Sequence, residues 1–230
     1  MADMIAVVGE SGSGKSTSLR NLNPKETFII NVAGKPLPLK GYRKNYTPLS
    51  KNKEGKWIGN LYSSSNVEQI NKILHLVNRG MPHIKVVIIE DAQYIMGFEM
   101  MDRAEEKGYD KFSQIASNFY SVLKSGMGMR EDLSVCVLTH SENIGNDMNP
   151  KWKIKTLGKM LDNMITIEGL FTYVFFTKIG NDLDGNKEYR FITNSDGTNT
   201  AKSPMGCFES DEIDNDLNFV VQKIDEYNNG

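Results

Sequence analysis

The sequence predicts an α/β fold, a three-layer α/β/α sandwich around a mainly parallel sheet, with an antiparallel hairpin near the C-terminus. Three observations carry this. An apolar run, Ile5-Ala6-Val7-Val8, leads into Gly9-Glu10-Ser11-Gly12-Ser13-Gly14-Lys15-Ser16-Thr17 and then into a helical start. This is the strand, Gly-x-x-x-x-Gly-Lys-Ser loop and helix order of a phosphate-binding loop. A second run, Val86-Val87-Ile88-Ile89, ends in Glu90-Asp91. A third, Leu133-Ser134-Val135-Cys136-Val137-Leu138, ends in Thr139-His140. Apolar β-branched runs closed by polar residues are the mark of buried parallel strands that deliver chemistry at their C-terminal ends.

The other elements follow in order. A first helix is expected over residues 15–22, stopped by Asn23-Pro24. Thr27 to Val32 reads as a second strand. Residues 34–60 carry Lys35, Lys40, Arg43, Lys44, Lys51, Lys53 and Lys56 against Glu54, interleaved with Tyr42, Tyr46 and Trp57. Pro36, Pro38 and Pro48 forbid a helix through most of this stretch. It reads either as a solvated hairpin insertion or as a surface whose cations follow a single-stranded backbone while its rings stack on bases. Val67, Ile70, Ile73, Leu74 and Val77 mark a helix, capped by Ser65 or Asn66 and stopped by Gly80 and Pro82. Residues 94–107 and 112–124 read as two more helices. Residues 141–156 read as a loop, with a short helix after it from Gly158 to Met164. Strands over 173–178 and 189–193 are joined by a hairpin turn, and residues 215–227 form a closing amphipathic helix. With no linker or repeat, residues 1–230 are expected to be one domain.

The 27 basic and 29 acidic residues give a net charge of −2. No whole-chain field attracts nucleic acid, so such a site must be local. Cys136 and Cys207 follow no metal spacing. Nothing approaches the ~18 apolar residues of a membrane span, and no signal-peptide core is visible, so a soluble intracellular protein is expected. Asp182, Asp184 and Asn186 alternate like a calcium loop, but the glycine comes too early and no distal Glu follows.

The motifs assign chemistry residue by residue. Gly9, Gly12 and Gly14 free the backbone so that the loop, Gly9 through Thr17, turns its N–H groups toward phosphate. The positive end of the following helix is expected to add to this. Lys15 supplies a point charge to the β and γ phosphates, and Ser16 a hydroxyl ligand for Mg²⁺. Of Glu90 and Asp91, one is expected to hold Mg²⁺ and the other to orient or deprotonate water. Gln93 lies just beyond and is a candidate γ-phosphate sensor. His140 or Thr139 is placed to report hydrolysis to the loop that follows; a structural role for His140 is the competing reading. In that loop Lys151, Trp152, Lys153 and Lys155, with Lys159 beyond, are read as a stacking platform for nucleic acid, as cations reaching a neighbouring subunit's γ phosphate, or as solvated residues.

With these motifs placed, the chain resembles the RecA-like ATPases, and more closely the phage-encoded ATP-binding proteins of the Sak-type recombination group. The resemblance rests on Gly9 to Ser16, Phe28-Ile29-Ile30-Asn31-Val32, Glu90-Asp91-Ala92-Gln93-Tyr94, Thr139-His140-Ser141-Glu142, Lys155-Thr156-Leu157-Gly158-Lys159-Met160-Leu161 and Ala201-Lys202-Ser203-Pro204. It implies a P-loop NTPase using ATP and Mg²⁺ and acting with single-stranded DNA in phage recombination or replication. A single-strand-binding protein as partner, head-to-tail self-assembly and the cytoplasm of an infected bacterial host are implied with it. It also implies DNA contacts from about 95–111 and 141–156. Two departures from the pattern are visible: Glu90 stands where Asp is usual, and the second strand lacks the terminal catalytic Glu, which leaves Asp91 or Glu90 as base. Two other readings share the loop. A nucleotide kinase needs clustered arginines for its second substrate, and the six arginines are scattered. A nucleotide-gated scaffold binds ATP with little hydrolysis.

Overall fold

Alternation along the buried strands decides the architecture. In the computed structural model, which describes residues 1–146, 148–157, 165–182 and 184–230, eight strands form one sheet in the order β12-β11-β10-β1-β7-β6-β2-β5. These are β1 (Asp3–Val8), β2 (Thr27–Asn31), β5 (Leu61–Ser63), β6 (Val86–Glu90), β7 (Ser134–Thr139), β10 (Tyr173–Asn181), β11 (Lys187–Ile192) and β12 (Glu212–Asp214). From β10 to β5 every pairing is parallel; β10–β11 and β11–β12 are antiparallel. The fold is therefore the expected three-layer P-loop NTPase sandwich with an antiparallel hairpin at its C-terminal side.

Successive side chains of a strand point to opposite faces, and two cores result. Ala6, Val8, Phe28, Ile30, Val87, Ile89, Val135 and Val137 face one layer. That layer comprises α2 (Val67–Gly80), α3 (Gln93–Asp102) and α4 (Asp110–Met127). Ile5, Val7, Ile29, Ile88, Cys136 and Leu138 face the other, built from Leu19, Leu22, Leu37, Tyr46 and the C-terminal helix Leu217–Asn229. Helix α2 is capped by Asn66, whose side chain accepts from the Gln69 N–H at 3.0 Å. Asp216 caps the C-terminal helix in the same way, accepting from Asn218 N–H at 2.9 Å. Each such cap satisfies an N–H that the helix leaves unpaired. Among the described residues, no helix is long and apolar enough to cross a membrane.

Three expectations are corrected. The first helix is a six-residue 3-10 segment, Ser16–Asn21, rather than an α-helix over 15–22. Ser-Thr-Ser favours local hydrogen bonds over helix, and Asn23-Pro24 stops the chain one turn later. With so few aligned peptides, its dipole adds little to an anion site. Residues 141–156 are not an irregular loop. They hold a hairpin of β8 (Ser141–Asn143) and β9 (Trp152–Ile154), in register Ser141↔Ile154. Strands β5 and β12 stand where the sequence suggested connections, because three half-polar residues carry no period.

The 34–60 insertion is the expected hairpin, reduced to β3 (Ser50–Lys51) and β4 (Trp57–Ile58), after one helical turn, α1 (Tyr42–Asn45). The ammonium of Lys51 lies 4.9 Å over the exposed Trp57 ring, a cation–π contact. The expected helix at Gly158–Met164, with Lys159, lies outside the described residues.

Candidate nucleotide site

The site is built at the C-terminal ends of β1, β7, β6 and β2, which lie side by side. The phosphate loop leaves β1, and its first residue is tied to the next strand, Gly9 N–H donating to Thr139 O at 3.2 Å. Thr177 on β10 pins the loop from the other side, its hydroxyl donating to Ser13 Oγ at 2.6 Å. A Cβ on Gly9 would sit 1.8 Å from that Thr177 hydroxyl, so only glycine fits. Gly14 is glycine for both reasons: its φ is +94°, and a Cβ would meet the Tyr189 ring at 2.9 Å.

Lys15 is buried and its ammonium donates to Gly9 O at 2.9 Å and Glu10 O at 2.7 Å. Burial pulls its pKa down to about 8, although Asp91 and Glu90 nearby favour the charged form. The next residue closes the site: Ser16 Oγ donates to Glu90 Oε1. Glu90 is fully enclosed, and its second oxygen, Oε2, has no protein hydrogen-bond partner. Burial pushes its pKa up to about 7, against the hydrogen bond from Ser16.

Asp91 takes the opposite course. Its φ of 58° is left-handed, a conformation that Asp tolerates better than most residues. This kink between β6 and α3 turns the carboxylate to the cleft, where Oδ2 meets the Lys35 ammonium at 2.5 Å and Oδ1 lies 3.7 Å from His140 Nε2. Burial alone would raise its pKa; His140 and Lys35 together hold it below the usual carboxylate value. His140 is fixed by an edge-on contact with the Tyr94 ring, centroids 6.0 Å apart.

These groups share a cleft of about 480 Å³. Of the loop, Ser11, Gly12, Gly14, Lys15, Ser16 and Thr17 line it, together with Asp91 and His140. Gly9, Glu10 and Ser13 instead border a smaller hollow of about 290 Å³ behind the loop, beside Trp152 and Thr177. Gln93 begins α3, its Oε1 buried without a partner, and does not line the cleft. The basic residues proposed for DNA lie on the β8–β9 hairpin. Lys151 and Lys155 are exposed, while Lys153 pairs with Glu142 at 3.2 Å. Trp152 is half-buried and packs on the core, so its ring is not a free stacking platform.

Sequence reasoning missed Lys35, Pro36, Pro38 and Tyr189, which complete the cleft wall, and Thr177 and Asn31 behind it. Asn31 ends β2 in register with Glu90. Its amide donates to Lys35 O at 2.7 Å and its Oδ1 accepts from Gly34 N–H at 3.0 Å, which folds Lys35 back over the sheet edge. The one available signal was Asn31 at the end of an apolar strand, followed by Gly34.

The donors suit Mg²⁺. A hydroxyl and a carboxylate stand together, and a buried carboxylate oxygen is unpartnered. Mg²⁺ takes one or two such hard ligands and completes its octahedron with phosphate and water. Among the described residues no group of three or more His, Cys, Asp or Glu forms a metal cage of its own.

Residues 1–110 match the family model of an AAA domain, just under half of the chain. The match covers the phosphate loop and the Glu90-Asp91 strand and supports a P-loop NTPase-type domain that binds nucleotide, with ATPase activity in general. No curated protein matches the chain.

Proposed function

We propose that this chain is a Mg²⁺-dependent ATPase, one RecA-like domain over residues 1–230, that acts with single-stranded DNA in phage recombination or replication and assembles head to tail in the host cytoplasm. The observation that carries the ATPase reading is the Ser16–Glu90 contact. It joins the phosphate loop to the acid-bearing strand within one hydrogen bond. Mg²⁺ bound there by Ser16 and Glu90 would supply charge neutralisation between the β and γ phosphates. Lys15 holds the same phosphates, and loop N–H groups orient them. Asp91, kept ionised by its cationic neighbours, accepts the proton of water as the water oxygen bonds to the γ phosphorus. The bond to the bridging oxygen breaks, leaving ADP and phosphate.

The DNA part of the proposal is supported by continuity. His140, beside Asp91, runs directly into β8, and Lys155 N–H at the far end of β9 donates back to His140 O at 2.8 Å. The paired strands of this hairpin connect the cleft to the exposed Lys151 and Lys155. The exposed Lys51–Trp57 pair offers a second cationic ring surface. A neighbour's cleft as the target of Lys155, and a single-strand-binding protein as partner, belong to the same proposal. A nucleotide kinase is disfavoured, because among the described residues no arginine lines the cleft to hold a second phosphorylated substrate. The scaffold reading draws on the Lys35–Asp91 ion pair, which occupies the proposed base.

The test is the rate of ATP hydrolysis with and without single-stranded DNA across salt concentrations. Stimulation that fades as salt rises supports the proposal. Mg²⁺-dependent binding without turnover would favour the scaffold, and no nucleotide binding would end both.

A further inference from the structure

Lys35 belongs by sequence to the basic 34–60 stretch, but it is that stretch's cation on the cleft wall. Its backbone is fixed on both sides. Asn31 clamps the turn before it, and Leu37, two residues on, is buried in the core with Leu19 and Leu22. Its side chain is free by comparison, 51 % exposed, whereas the Asp91 carboxylate that it touches is 3 % exposed. A short anchored loop thus presents a long mobile cation beside Lys15, Ser16 and Asp91.

Charge makes this arrangement conditional. Lys15 and Lys35 line the cleft with Asp91, and the enclosed Glu90 beneath Ser16 adds its charge to the field on both lysines. A triphosphate entering beside Asp91 places more negative charge against a carboxylate already satisfied by Lys35. The ammonium, reached by both, is the group able to relieve that repulsion, and its four-carbon stem lets it turn without moving the backbone. Lys15 differs: its ammonium is held by the loop's own carbonyls, Gly9 O and Glu10 O.

We infer that Lys35 is a second phosphate-contacting cation, alternating between Asp91 and the terminal phosphate of a bound triphosphate, and that through it the cleft distinguishes triphosphate from diphosphate. The inference rests on the nucleotide reading above. Contact with the terminal phosphate releases the Asp91 carboxylate only when the phosphate to be attacked is present. With diphosphate bound, Lys35 stays on Asp91. The ion pair is then the resting position of a triphosphate sensor rather than a structural brace.

The experiment compares binding of a non-hydrolysable ATP analogue and of ADP, each with Mg²⁺, to wild type, Lys35→Ala, Lys35→Gln and Lys35→Arg. Thermal midpoints are recorded alongside. Loss of one charge-assisted contact predicts triphosphate affinity about 10- to 100-fold weaker in Lys35→Ala and Lys35→Gln. ADP affinity stays within about twofold of wild type, because Lys35 meets only the terminal phosphate, which ADP lacks. Lys35→Arg keeps the preference for triphosphate, since a cation of similar reach remains. Equal weakening of both nucleotides, or an unchanged preference in Lys35→Ala, overturns the inference and leaves the nucleotide reading standing. A shifted thermal midpoint with unchanged preference identifies a mere brace and likewise overturns it. Failure of the wild type to bind either nucleotide would overturn both.

Discussion

Two groups of lysines in this molecule have the same side chain and opposite circumstances. Lys15 and Lys35 stand in a cleft with two carboxylates, one enclosed by loop carbonyls and the other docked on Asp91. Lys151 and Lys155 stand in solvent on the β8–β9 hairpin. The difference lies in what holds them. A strand end and a glycine loop fix the first pair where displaced water makes each charge count. The hairpin offers the second pair a rigid base but no carboxylate pocket. A lysine docked on loop carbonyls or on a buried carboxylate is part of a site; one standing in open solvent is at most part of a field.

Removing Lys15 tests the contrast most severely. Lys15→Ala is expected to lower ATP turnover about 10³-fold or more, the scale of a cation acting on transferring phosphate, while circular dichroism shows the fold retained. Lys151→Ala should leave DNA-free turnover alone. Equal losses in the two would erase the distinction.

Next comes the division between the acids. Asp91→Asn keeps a side chain that tolerates the left-handed backbone and removes the proton acceptor. Turnover should fall about 10²-fold with KM for ATP little changed, as steady-state kinetics would show. If instead Glu90→Gln gave that pattern and Asp91→Asn abolished Mg²⁺ dependence, the two roles would be exchanged.

A smaller effect is expected from pH. Glu90, with its pKa pushed up to about 7, is protonated in the free protein below neutrality. A Mg²⁺ ligand must be ionised, so Mg²⁺-dependent nucleotide affinity should rise with pH up to about 7 and release a proton in calorimetry. Lys15, drawn down to about 8, loses its charge above that value, so affinity should fall again. For the free protein the sign is the reverse. A carboxyl whose folded pKa exceeds its unfolded value stabilises below the latter, and that contribution is lost as pH rises through about 7. Glu90→Gln should flatten the acidic limb of both profiles; an unchanged limb would assign it elsewhere.

The smallest change belongs to the hairpin. Losing Lys151 and Lys155 should reduce the slope of log affinity against log salt for single-stranded DNA by about 1.4, two contacts at ~0.7 each. An unchanged slope would place the DNA elsewhere, with the Lys51–Trp57 surface the next candidate.

How far the sequence reached follows the same line between local and distant causes. The strand-loop unit at Gly9 to Ser16, the acids after Ile89 and the His140 strand end were legible because each is a contiguous pattern. The helical faces of α2 and α4 were legible from their spacing. The 3-10 segment after the loop was not, because the glycine-lysine signature is the same whichever helix follows. Tyr189 and Lys35 reach the cleft, and Thr177 the hollow behind the loop, only through strand order, and nothing in residues 177–189 marks the nearness of Tyr189 to Gly14. The packing of Trp152 on the core was likewise hidden, since a Trp between lysines reads the same exposed or covered.

Strand order has one more consequence, for how the chain is made. The strand bearing the phosphate loop is bonded to β7 and β10, which begin at Ser134 and Tyr173, and to neither of the strands nearest it in sequence. On the ribosome, Ile5 to Val8 emerge before either partner and have no strand of the sheet to bond to until Ser134 to Thr139 have followed. A fragment stopping at residue 110 would hold the signature loop and both acids, with β6 still able to pair with β2, yet lack β7, the strand that bonds to both β1 and β6. The strand that carries the phosphate loop is thus locked in place only after strands made well behind it.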